Sequence, residues 1–201
     1  MRLARKAFLA AVAAMFFAGC ASIGHLGPFS TVVVDAGHGG IDRGARARDG
    51  SQEKEYTLDT AKRIERGLRS RGFNVVMTRR GDYFVPLPAR AAISNRQWSS
   101  VFLSVHYNHA PRAAANGTET YYYSPRSYPL AAHIQQELAR FTNSRGVKRA
   151  RFHVLRNNAK PAVLVELGFL SNPQDLRRIK SASYREKLAD AVVRGISKAS
   201  R

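Results

Sequence analysis

Residues 31–40 read Thr31-Val32-Val33-Val34-Asp35-Ala36-Gly37-His38-Gly39-Gly40. The first four are all β-branched, which favours extended backbone, and they do not alternate with polar residues. That pattern predicts a strand covered on both faces. The chain then changes character at Asp35. Gly37, Gly39 and Gly40 allow a tight turn and let the backbone come close to whatever His38 holds. In open α/β sheets, ligands gather where strands end in such turns. A phosphate-cradling loop would need GxxxxGK[ST] or GxGxxG, and neither is present.

Working outward, apolar runs of strand length recur at 73–78 (FNVVMT), 101–106 (VFLSVH) and 162–167 (AVLVEL), all read as buried on both faces. Residues 117–123 (GTETYYY) alternate and suit an edge or half-exposed strand, and 150–155 are expected to form another. Helical spacing lies between them. Leu58, Ala61, Ile64 and Leu68 share one face while Lys62, Arg63, Arg66 and Arg69 face away, and Gly72 follows as a stop. Further helices are expected over 87–98, 128–141 and 184–199, the last with Leu188, Ala191, Val192 and Ile196 aligned. Strand and helix alternation predicts an α/β fold, a mostly parallel sheet with helices on both faces. At 201 residues without an internal repeat, one domain is expected.

With 44% hydrophobic and 23% charged residues the composition is that of a globular chain. The net charge of +19 is not ordinary, and 25 of the 33 basic residues are arginine. Planar guanidinium groups suit carboxylate or phosphate partners. At the N-terminus, Arg2, Arg5 and Lys6 precede an apolar run from Ala7 to Ala18 and then Gly19-Cys20. A basic start, a short apolar core and small residues before a cut point describe an export signal over 1–19. Twelve apolar residues are too few to span a bilayer core, which takes about 20 in a helix. Phe17-Ala18-Gly19-Cys20 resembles a bacterial lipobox, with Phe17 where leucine is usual. This reading makes Cys20 a lipidated anchor, 20–30 a short tether and 31–201 the working domain. It places the protein in the periplasm, and Ala21 rather than Asp after the cysteine points to the outer membrane of a two-membrane cell. Losing Arg2, Arg5 and Lys6 leaves +16, so the basic surface belongs to the working protein. With a single cysteine there is no disulfide framework and no thiolate zinc cluster.

The chemistry-bearing residues lie at strand ends. His38 follows the first strand, His106 closes the run VFLSVH, and Glu166 is read as closing the strand after Pro161. Separate elements thus bring two imidazoles and a carboxylate to one rim. A catalytic zinc takes three protein ligands plus water. A carboxylate from Gln52-Glu53-Lys54-Glu55 could complete the set, although spacing alone does not separate Glu53 from Glu55. Glu166 sits in an apolar run where an unpaired charge is costly, so it either meets an arginine or borders a polar site as an acid–base group.

Taken in order, DAGHGG (35–40), QEKEYTL (52–58), MTR (77–79), LSVH (103–106), GTETYYY (117–123), Arg145-Gly146-Val147-Lys148 and PAVLVELGFLSN (161–172) resemble the zinc-dependent N-acetylmuramoyl-L-alanine amidases of the amidase-3 type. The likeness covers nearly the whole chain beyond residue 31. It implies a mixed six-stranded sheet flanked by helices, Zn2+ held by His38, Glu53 and His106, and Glu166 as the catalytic glutamate. The family register selects Glu53 over Glu55. The implied reaction is hydrolysis of the amide joining N-acetylmuramic acid to L-alanine in peptidoglycan, with Glu166 taking the proton of the attacking water and returning it to the departing nitrogen. Asp35 is a candidate for orienting a ligand histidine.

Two departures bear on this. The chain reads His106-Tyr107-Asn108-His109-Ala110, so His109 competes as a ligand, a substrate contact or a loop residue, and the loop or substrate reading is preferred. Only a few residues separate Tyr123 from the helix at Tyr128, leaving no room for the site-blocking insertion of some relatives. That implies an uninhibited or differently regulated enzyme. The partners expected are peptidoglycan and, through Cys20, a membrane; a monomer is expected. The rival readings are a non-catalytic peptidoglycan-binding lipoprotein and a zinc hydrolase of another amide. Nucleic-acid binding has only the charge in its favour and conflicts with an export signal.

Overall fold

The structure is a computed structural model that describes residues 26–201. The export-signal segment 1–19 and Cys20 lie outside the described residues. The described part of the expected tether is docked: Leu26 N donates to Ala199 O at 3.2 Å, and Phe29 stacks on Phe73.

In chain order the elements are β1 (Thr31–Ala36), α1 (Glu53–Arg69), β2 (Asn74–Met77), α2 (Leu87–Asn95), β3 (Ser100–Asn108), β4 (Thr118–Tyr122), α3 (Tyr128–Leu138), β5 (Ser144–Arg149), α4 (His153–Arg156), β6 (Ala162–Phe169), α5 (Pro173–Lys180) and α6 (Ala182–Ala199). The six strands form one sheet in the order β2-β1-β3-β6-β4-β5. β2, β1, β3 and β6 are parallel; β4 runs antiparallel to β6 and parallel to β5. The expected mixed α/β architecture is the one observed.

Side-chain alternation sorts the central strands onto two faces. Val32 and Val34, Val101 and Leu103, Val163 and Val165 enter the main core, with Ile64, Leu130, Ile134, Leu188 and Val192 from the helices. Val33, Phe102, Ala162 and Leu164 face the other way, where Val154 and Leu155 of α4 cover them. Toward the carboxyl ends this second face turns polar: Val33 gives way to Asp35, Phe102 to Ser104 and His106, and Leu164 to Glu166.

Several expectations change. The strand expected over 150–155 lies earlier, at β5, and Val154 and Leu155 are helical. β5 is an edge strand with no buried residue, half of it basic, so it needs no apolar alternation, and cations on an edge also discourage pairing with other chains. Residues 117–123 do not form an edge: β4 lies between β6 and β5, with Thr118, Glu119 and Thr120 buried. β2 is itself an edge and only partly buried. β6 continues to Phe169, so Glu166 stands inside the strand rather than at its end. Helix α5, not among the expected helices, buries only Asp175 and Ile179 of its eight residues, with Leu176 packed against the core. It is marked instead by its cap, Asn172, whose side chain accepts from Gln174 N and Asp175 N. Between β4 and α3 there is a single 3-10 turn, Pro125–Ser127. No helix among the described residues is long and apolar enough to cross a membrane.

Candidate metal centre

The turn after β1 places His38 in a left-handed conformation, at φ 61°. Two buried arginines secure this turn. Arg90 donates to the carbonyls of Ala36 and His38, each at 2.7 Å, and Arg79 to those of Ala36 and Gly37, each at 2.9 Å. Asp35, expected near a histidine, instead accepts from Arg90, Thr78 and Ser104. It anchors the arginine that shapes the turn. The carboxylate on His38 Nδ1 is that of Asp42, with both oxygens 2.9 Å away.

Glu53 opens α1 and turns back over the sheet edge, while Glu55, two residues on, is exposed. The Glu53 carboxylate accepts from Ala45 N at 2.9 Å and Tyr107 N at 3.0 Å. Its Oε2 lies 3.1 Å from His38 Nε2 and its Oε1 2.9 Å from His106 Nδ1. The two imidazoles meet edge-on with centroids 4.8 Å apart. One ligand-type atom from each of His38, Glu53 and His106 falls within 4.8 Å of the others. Two glycines leave the space for this: a Cβ on Gly37 would lie 2.4 Å from the His106 ring, and one on Gly44 2.6 Å from both His38 Cδ2 and Glu53 Oε2. His109 is exposed at the rim, outside this cluster.

Electrostatics separate the two glutamates. Burial alone would raise the Glu53 pKa, but His106 and His38 overcome it and hold the carboxylate well below its usual range. Burial would lower His38, yet Glu53 and Asp42 raise it. Glu166 is shifted the other way. Burial raises it first and the charges of Glu53 and Glu119 raise it further, well above the ordinary carboxyl value. Its Oε2 is shut from solvent and has no hydrogen-bond partner among the described residues. In register, Glu166 is flanked by His106 on β3 and Glu119 on β4.

His38, Asp42, Glu53, His106 and Glu166 line a cleft of about 540 Å³, together with an apolar wall of Phe84, Leu87, Phe152 and Val154. A family model described as N-acetylmuramoyl-L-alanine amidase matches residues 32–198. The chain belongs to the N-acetylmuramoyl-L-alanine amidase family. It is 38% identical over 189 residues to the uncharacterized protein YqiI of Bacillus subtilis, covering 91% of each. It is 39% identical over 168 residues to the N-acetylmuramoyl-L-alanine amidase LytC of the same organism, covering 81% of this chain and 34% of LytC. Among solved structures, the amidase AmiC2 of Nostoc punctiforme superposes with a TM-score of 0.81 at 38% identity, over 84% of this chain and 95% of that one. The CwlD amidase of Clostridioides difficile, solved with the GerS lipoprotein, gives 0.80 at 31% identity, over 85% and 98%. By family and by fold this is an N-acetylmuramoyl-L-alanine amidase, an enzyme of peptidoglycan.

Sequence reasoning missed Asp42 and Glu119. Asp42 lies in a polar loop with no periodicity, and the only signal was its spacing four residues after His38. Glu119 sits in TET, an alternation that also fits a solvated edge.

Proposed function

We propose that this amidase is a zinc hydrolase that cuts the amide between N-acetylmuramic acid and L-alanine, with His38, Glu53 and His106 as metal ligands and Glu166 as the acid–base carboxylate. The observation that carries the reading is the convergence of the three ligand-type side chains beside a carboxyl oxygen that has no partner. Two imidazoles and one carboxylate are a donor set of catalytic zinc, which keeps a position open for water or substrate. Asp42 on the far nitrogen of His38 is the arrangement that orients a ligand histidine. The residues present therefore fit the ion.

Zinc bound there would polarise the scissile carbonyl and acidify the attacking water. Glu166 stands beside His106 on the same sheet face and is positioned to take that proton. Its raised affinity for a proton favours that uptake, and the protonated carboxyl is then the acid placed to return it to the departing nitrogen of L-alanine. Only a 3-10 turn separates β4 from α3, so the cleft is expected to work without an activator that displaces a blocking segment.

The basic start, apolar run and Cys20 support a second part of the proposal: the enzyme is exported and held at the outer membrane by lipid on Cys20. Labelled palmitate should enter the wild-type protein, and Cys20→Ala should release an unlabelled soluble form; a labelled Cys20→Ala protein would refute the anchor. For the reaction, purified sacculi are digested with the zinc-loaded protein and analysed by mass spectrometry. Free stem peptides and peptide-free glycans are expected. Intact muropeptides would point to a non-catalytic binder.

A further inference from the structure

The polar band on the active face does not stop at Glu166. It passes to Glu119 on β4 and on to β5, where Lys148 lies opposite Tyr121. Glu119 is only 2% exposed. Its Oε2 accepts from Arg145 Nε at 2.9 Å and from Lys148 Nζ, while its Oε1 accepts from Tyr121 OH at 2.6 Å and Asn108 Nδ2 at 2.7 Å. Asn108 lines the cleft, so the network is joined to it.

One buried carboxylate thus carries two cations, and the stretch 144–151 adds Arg149 and Arg151 with no acidic residue of its own. Both cations are fixed by more than charge: the Arg145 guanidinium lies 5.0 Å over the Phe169 ring and Lys148 Nζ 5.9 Å over Tyr121. Yet 35% of the Arg145 side chain and 39% of Lys148 stay open to solvent. Arg145 spends only Nε on Glu119, which leaves its two terminal nitrogens for a ligand. Cations held in place, in surplus over their buried counter-charge and open on one side, are suited to an anion that arrives with the substrate.

We propose that Arg145 and Lys148 form a carboxylate subsite through which the enzyme prefers acidic stem peptides, those with a free carboxylate two to three residues beyond the scissile amide. The proposal rests on the amidase reading given above. Two strand spacings of about 4.8 Å put β5 roughly 10 Å from Glu166, the reach of about three extended residues. The carboxylate could belong to the second stem residue or to the peptide's C-terminus, and the test separates these sources.

Three zinc-loaded digestions are compared, using N-acetylmuramoyl tripeptides that are unmodified, amidated at the second-residue carboxylate, or amidated at the C-terminus. The wild type should favour the unmodified substrate over one of the two amides by about tenfold in kcat/KM, carried by KM. Which amide suffers names the source. Arg145→Gln with Lys148→Gln should bring that ratio close to one, and Lys148→Arg, which keeps the charge, should preserve it. A wild-type ratio near one for both amides, or a ratio that survives the double substitution, overturns the subsite while leaving the amidase reading intact. If the wild type releases peptide from none of the three, the amidase reading fails and the subsite falls with it.

Discussion

On one face of the sheet Val32, Val34, Leu103, Val163 and Val165 lie beneath α1, α3 and α6, and the apolar layer runs on to Val105 and Leu167. On the other face the same strands present Val33, Phe102 and Leu164 under α2 and the single turn of α4, then Asp35, Ser104, His106 and Glu166. Period-two alternation means that each strand must serve both faces, so what differs is the cover. Where long helices continue, the central strands stay mostly apolar beneath them, and the polar side chains there are paired, Thr120 with Gln135 of α3 and Tyr107 with Thr60 of α1. Where the cover runs out, the cleft tolerates a carboxyl such as Glu166 that a closed core would have to pair. The thick face supplies rigidity, and the thin face supplies chemistry.

Substitutions on the two faces can break or sharpen that contrast. The largest effect is expected on the thin face. Glu166→Gln should lower peptide release from muropeptides by about 10²–10⁴-fold, the range of a lost acid–base group, with zinc content unchanged by elemental analysis. Retained activity would remove Glu166 from the mechanism. On the thick face, Leu130→Ala should cost about 2–5 kcal/mol in urea unfolding with zinc affinity kept. Leu155→Ala, under the short α4, should fall at the low end of that range because one turn can settle into the gap. Equal losses would contradict the difference in cover.

Asp42→Asn should weaken zinc binding about 10–100-fold in chelator competition, since it loosens the orientation of His38 rather than removing a ligand. The smallest effect concerns pH. Burial would raise Glu137, but Lys198 and Arg194 outweigh it and hold its pKa below the ordinary 4.5. A depressed carboxylate stabilises the fold above its unfolded pKa, and that stability is lost as pH falls through the folded value. Glu137→Gln should therefore lower Tm at pH 7 and flatten its decline below pH 4.5; an unchanged slope in an acid titration would show that the α3–α6 ion pairs contribute little.

The thick face was legible because burial beneath a long helix leaves a repeating mark: the spacing of Leu188, Ala191, Val192 and Ile196 marks α6 in the sequence alone. His38 and His106 were legible because each follows an apolar run. Glu53 and Glu55 share one helix start, and only the return of the chain over Ala45 and Tyr107, a tertiary fact, lets Glu53 reach the imidazoles; family register was needed to choose it. Asp42 was hidden in an aperiodic loop. Glu119 was hidden by its alternation, because two buried threonines and a buried glutamate look like a wet edge until Arg145 and Lys148 arrive from β5. β5 itself carried no apolar signal, so its place was given to the segment that forms α4.

The central claim, that His38, Glu53 and His106 hold a catalytic zinc, is tested most directly by the zinc-to-protein ratio of purified His106→Ala and His109→Ala variants. The account predicts about one zinc per chain in the wild type and in His109→Ala, and next to none in His106→Ala. Zinc retained by His106→Ala, or lost from His109→Ala, would contradict it.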